Sequence, residues 1–100
     1  MSNFAPYLFA MAKTQEQVAT DTLDILVSEK SLVVFNDHVN TFDFVIDSLI
    51  KVCKHERIQA EQCAHLIHFR GKYDVKHGEW SALEPMCTAL LDRGITAEIH

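Results

Sequence analysis

The sequence predicts an α+β sandwich in which three helices cover one face of a three-stranded sheet. Two observations predict it. Three short segments of β-branched or alternating residues (32–35, 72–77 and 95–99) stand apart from three segments whose apolar residues recur at helical spacing. Their order along the chain is strand, helix, helix, strand, helix, strand, which suits a small sheet with its helices gathered in a second layer.

Residues 1–30 read as a flexible N-terminal extension, weakly periodic and polar after Met11. Within it, 23–27 (Leu-Asp-Ile-Leu-Val) is a candidate short strand and Ser28 to Ser31 a turn. The core domain is expected over 31–100. It opens with Leu32-Val33-Val34-Phe35, a continuous apolar run that reads as a buried strand. Asn40 or Thr41 then caps a helix, with Asp43 in the first turn, where the helix dipole favours negative charge. Phe42, Val45, Ile46, Leu49, Ile50 and Cys53 form its apolar stripe, to about Lys54.

A second helix fits 57–69, with Ile58, Cys63, Leu66 and Ile67 facing one way and Gly71 as its stop. Residues 72–77 alternate like a half-exposed strand. Ser81-Ala82-Leu83-Glu84 matches a capping box, with Pro85 in or beside the first turn. Leu83, Met86, Cys87, Leu90 and Leu91 make the stripe of this third helix, Gly94 ends it, and 95–99 alternate as the last strand.

Composition excludes several classes of function. With 48% hydrophobic and 23% charged residues in 100, the chain is an ordinary folded domain with one core. The net charge of −5 leaves no basic patch for nucleic acid. No run approaches the roughly 20 apolar residues of a membrane span. The early apolar stretch has no Lys or Arg before it and is broken by Pro6, so a secretory signal is not expected, and Met11 offers a second start. Three cysteines without CxxC spacing point to free thiols in a reducing cytoplasm.

Two kinds of chemistry find weak support. Cys63, His65 and His68 lie on one predicted helix, but Cys63 and His65 are two residues apart and point to different sides, and zinc wants about four converging ligands. No metal and no cofactor is expected, and His65 reads as a solvated surface histidine. Cys63 with His68 makes a nucleophile pair only on paper, because a thiol on an apolar stripe is a small hydrophobe. With three glycines in the chain and no nucleophile elbow, an enzyme is not expected.

The strongest constellation is Val34-Phe35-Asn36-Asp37, then Asn40-Thr41-Phe42-Asp43-Phe44-Val45-Ile46-Asp47, then His68-Phe69-Arg70-Gly71-Lys72. A buried strand ends in Asn-Asp, a capped helix starts a few residues later, and a second helix ends in an Ile-His-Phe triplet. Helix starts present free N–H groups, and Asn36 and His68 can each donate or accept. With apolar neighbours they suit a small pocket with a polar rim. Taken singly, each residue has a plainer reading as core, turn or cap.

These three motifs, in order over about residues 32–99, resemble the ClpS family, adaptors that hand substrates with bulky hydrophobic N-terminal residues (N-degrons) to a Clp ATPase. The resemblance implies that Asn36, Asp37, His38 and His68 contact the substrate's α-amino group and first peptide. It implies a hydrophobic pocket of Val34, Phe35, Asn40, Phe42, Val45, Ala64, Ile67 and Ile95. It places the ATPase-facing surface around Glu79, Trp80, Ser81 and Glu84, although a lone Trp in a small domain more often caps the core.

The partners implied are a Clp AAA+ ATPase of ClpA or ClpC type and proteins with N-terminal Phe, Leu, Tyr or Trp, with no nucleic acid and no membrane. The extension would help engage the ATPase. Three positions depart from the family pattern: His38 stands where a second acid is usual, Phe42 where many members carry a gatekeeper methionine, and Ala64 where a bulky Met often closes the pocket floor. A protein of this fold without N-degron binding that only modulates the ATPase is the first alternative, and a small metal- or redox-responsive protein the second.

Overall fold

The computed structural model describes residues 29–100, and β1 (Lys30–Phe35) is the first element within them. The expected extension and the candidate strand at 23–27 lie outside the described residues. β1 starts two residues before the apolar run. Lys30 and Ser31 belong to the strand and not to a turn, because Ser31 exchanges two 2.8 Å backbone hydrogen bonds with His100.

The remaining elements are α1 (Phe42–Cys53), α2 (Arg57–Arg70), β2 (Lys72–Gly78), α3 (Trp80–Asp92) and β3 (Ala97–Ile99). The sheet order is β2-β1-β3, with both pairings antiparallel. The register of β1 against β2 slips between Leu32 and Val33, so that Leu32 pairs with Lys76, Val33 with Asp74, and Val75 is the extra residue of a bulge. His55 Nε2 donates to the Val75 carbonyl at 2.7 Å and so gives this bulge a partner from the α1–α2 connection.

Period-two alternation turns Leu32 and Val34 toward the helices, where they share one core with Val75 and Ala97 of the neighbouring strands. Ile46, Leu49 and Cys53 of α1, Ala60, Cys63, Ala64 and Ile67 of α2, Leu83, Cys87 and Leu90 of α3, and Ile95 ahead of β3 complete it. The three helices therefore stack on one face of the sheet. α2 packs on β2 and α1, while α3 packs on α1 and all three strands. Leu49 is wholly buried, so truncating it to alanine costs about 2–5 kcal/mol.

Several local expectations are corrected. The stripe of α2 is Ala60, Cys63, Ala64 and Ile67, and Ile58 lies on the opposite side of the helix, 63% exposed. Leu91 follows buried Leu90 by one residue, a rotation of roughly 100° about the helix axis, which turns it half out to solvent. α3 starts before the Ser81 box. Glu79 is its N-cap residue, with extended backbone, and its carbonyl accepts the Ala82 and Leu83 N–H groups. Ser81 is thus already helical and Pro85 sits in the second turn. The carbonyl that Pro85 leaves unpaired, that of Ser81, belongs to an exposed residue, so water can satisfy it.

The last strand is shorter than 95–99. Ile95 is buried but donates its N–H back to Leu90, and pairing with β1 begins at Ala97. The two expected glycine stops do adopt left-handed backbone, Gly71 at φ 90° and Gly94 at φ 86°.

Candidate functional site

The site forms where β1 runs out. Phe35 N–H still reaches the Thr96 carbonyl at 3.0 Å, and Asn36 N–H donates to the Gly71 carbonyl at 2.8 Å. The second bond ties the end of β1 to the turn closing α2, which brings the loop at 36–40 beside His68. Asp37 organises that loop. Its Oδ1 accepts the Val39 and Asn40 N–H groups at 2.9 and 2.8 Å, an Asx-type turn. Its Oδ2 accepts the Asn40 side-chain amide at 2.8 Å. That amide's second contact, 2.9 Å, is to the Gly94 carbonyl in the α3–β3 turn. Asn40 thus clamps two connections that are far apart in sequence.

These bonds hold the Asp37 carboxyl below its ordinary 3.8, chiefly through the Asn40 backbone N–H, against a smaller opposing effect of burial. Thr41 then caps α1, its Oγ1 accepting the Phe44 N–H at 3.1 Å. The first two turns of α1 are fixed by Arg93. Its Nε donates to the buried Ser48 hydroxyl at 2.8 Å, its Nη2 pairs with Asp47 at 3.3 Å, and its guanidinium lies 5.1 Å from the Phe44 ring centroid.

A cavity of about 470 Å³ lies between this loop, α1 and α2. The loop lines it with Asn36, Asp37, His38 and Asn40; α1 contributes Phe42 and Val45; α2 contributes Ala64, Ile67 and His68. Each helical set follows the three- and four-residue spacing that puts side chains on one face. Asn36, His38 and His68 are exposed, so hydrogen-bonding groups stand at the solvent side of apolar walls. The volume is that of a small-molecule site.

Nine of the twelve residues expected at the pocket are brought together. The other three are not. Val34 and Ile95 are 1% and 2% exposed and belong to the core. Phe35, next to Val34, points to the opposite face of the sheet, where its ring meets His100 edge-on at 6.4 Å and Lys72 Nζ at 5.8 Å. Glu79, Trp80, Ser81 and Glu84 form one exposed surface at the start of α3, and Trp80 is 56% exposed instead of capping the core.

The cysteines and His65 are placed differently from any metal or redox reading. Cys53, Cys63 and Cys87 are buried and unpaired, and burial pushes their thiols up, that of Cys53 to about 11. Cys63 is in the core, His65 is exposed against the Phe42 ring, and His68 lines the cavity, so the three do not converge. Among the described residues, no three His, Cys, Asp or Glu side chains gather in a geometry that could hold a metal ion. No described helix is long and apolar enough to cross a membrane.

Sequence reasoning missed the clamp made by Asn40 and the contact between Phe42 and His65, whose ring centroids lie 4.8 Å apart. Nothing local in the sequence signals the bond from Asn40 to Gly94 or the contact from Phe42 to His65, because each joins residues more than twenty positions apart.

The profile of the family described as ATP-dependent Clp protease adaptor protein ClpS matches residues 28–98. The chain belongs to the ClpS family. Its fold is that of Agrobacterium tumefaciens ClpS2, solved bound to L-phenylalaninamide, with a TM-score of 0.70 at 16% identity, over 73% of this chain and 95% of that one. No curated protein sequence matches the chain. ClpS is an adaptor family and not a family of proteases.

Proposed function

We propose that this ClpS protein binds the N-terminal residue of a substrate in the cavity between the 36–40 loop, α1 and α2, and delivers the substrate to a Clp AAA+ unfoldase. The carrying observation is the cavity's division into apolar walls and a polar rim. An N-terminal Phe, Leu, Tyr or Trp would place its side chain against Phe42, Val45, Ala64 and Ile67. Burying such a side chain contributes about 1.5–3 kcal/mol. Its α-amino group, with a pKa near about 7.7–8.0, is mostly an ammonium at neutral pH and needs acceptors. Asn36, His38 and His68 stand where they can supply them, and each bond to a charged group is worth about 1.5–3 kcal/mol. A few such contributions give micromolar to submicromolar affinity, which suits cargo that must be released.

Asp37 contributes through its field, because both carboxylate oxygens are already engaged within the loop. Delivery is tethering: a substrate held on the adaptor is presented to the ATPase at high local concentration. The exposed surface at Glu79, Trp80, Ser81 and Glu84, together with residues 1–30, is the proposed contact with a ClpA- or ClpC-type ATPase in the cytoplasm. Aromatic side chains such as Trp80 are enriched at protein interfaces.

Fluorescence anisotropy with peptides differing only at residue one tests the pocket. The set is Phe, Leu, Trp, Ile and Ala, with N-acetylated Phe as control. Binding of Phe or Leu that is lost on acetylation and absent for Ala is the expected result. No binding to any peptide by folded protein between pH 6 and 8 overturns it and leaves modulation of the ATPase as the role to test.

A further inference from the structure

We infer that His65, which lies outside the cavity lining, is a positioning residue that sets the cavity's selectivity by bracing the Phe42 ring; this rests on the pocket proposed above. Phe42 is the first residue of α1 and its side chain is 39% exposed, so packing from the core does not fix its ring. The ring nonetheless forms part of the cavity wall. Among the α2 residues that share the lining with it is Ala64, whose methyl restrains a phenyl ring little. His65, one position further on, is turned about 100° around the helix and out of the cavity. Its imidazole meets the Phe42 ring at 4.8 Å between centroids with the planes at 62°, an edge-to-face contact.

The Phe42 ring is therefore shared. It walls the cavity, and it rests on an exposed aromatic ring of the second helix. His65 limits how far the ring can swing toward α2, and so limits the width of side chain that the mouth admits. Without that stop the ring gains rotamers that move it off the mouth. The widest side chain, Trp, benefits, and a narrower one such as Leu loses wall contact.

The test measures peptide affinities of wild type, His65→Ala, Phe42→Ala and the double variant by anisotropy, with His65→Phe as rescue. His65 is exposed, so its replacement leaves the core intact, and circular dichroism checks this. The expected result is that His65→Ala raises the affinity for Trp relative to Leu by roughly threefold, the scale of one exposed aromatic pair. The ratio returns toward wild type in His65→Phe, and His65→Ala changes nothing in the Phe42→Ala background. An unchanged ratio, or the same change with and without Phe42, overturns the inference while leaving the pocket standing. A wild-type protein that binds no peptide removes the pocket and the inference together.

Discussion

Replacing Asn40 with alanine should loosen the loop that shapes the cavity. One side-chain amide there donates 2.8 Å to Asp37 Oδ2 and 2.9 Å to the Gly94 carbonyl, so it joins the β1–α1 loop both to itself and to the α3–β3 turn. Alanine removes both bonds. Asp37 is only half buried and water can replace part of what it loses, so the charged bond is taken at the low end, about 1.5 kcal/mol, and the bond to the exposed carbonyl at about 0.5 kcal/mol. The sum is about 2 kcal/mol, and with a urea slope of about 1.5 kcal/mol per molar the unfolding midpoint falls by roughly 1.3 M. Urea titration followed by far-UV circular dichroism measures it. In an Asp37→Ala background only the Gly94 bond remains to be lost, so the same substitution should then cost about 0.5 kcal/mol.

The pH dependence follows from Asp37. Its pKa is lowered on folding, so its contribution is fully present above the ordinary value of 3.8 and is lost as pH falls through the folded value below it. The cost of Asn40→Ala is therefore level from about pH 5 to 8 and shrinks only in stronger acid. A midpoint shift under about 0.3 M, or equal costs in the two backgrounds, would refute the clamp.

Other expectations follow from the same geometry. His38→Asp adds a carboxylate at the cavity rim and should tighten binding of a free N-terminal Phe peptide by roughly tenfold, one charge-assisted hydrogen bond; equal affinity of both proteins in anisotropy titrations contradicts a role for His38 in weakening the site. Ala64→Met fills part of the cavity and should weaken Trp and Phe peptides by about tenfold or more while Leu suffers less, read from the same titrations; uniform losses would place Ala64 away from the bound side chain. The three buried thiols should react with Ellman's reagent at pH 8 only on the timescale of unfolding, and fast native reaction of any one contradicts its burial. Because the Cys53 thiol is raised from 9.0 to about 11 by burial, its stabilising effect is whole below pH 9 and is lost as pH rises toward 11, which urea midpoints between pH 8 and 11 would show.

Helix stripes and stops were largely legible in the sequence because they are local. Thr41 caps α1 through a residue three positions on, and Gly71 and Gly94 stop helices by adopting backbone that other residues adopt at a cost. Legibility failed at the edges of those patterns. Leu91 extends an apolar stripe on paper, but its place one residue after buried Leu90 turns it off the buried side of the helix. The Ser81 box has the right letters, yet Glu79 already has the extended backbone of a cap, so the helix starts earlier.

The motifs ending β1, opening α1 and closing α2 contain six of the cavity's residues, and the family resemblance they carry implied the other three, His38, Ala64 and Ile67. They could not separate Val34 and Ile95 from the lining, because a residue beneath a pocket and a residue in its wall are equally apolar. By itself, then, the sequence determined the element order, the cap of α1 and the two glycine stops, which depend on residues close together in the chain, and the family, which rests on three short motifs in order. Only the tertiary structure decided that Asn40 clamps a loop to Gly94, that Arg93 partners the buried Ser48, and that Phe42 rests on His65. Those contacts exist because the core brings distant turns and helix ends within a few ångströms, a distance that local pattern does not encode.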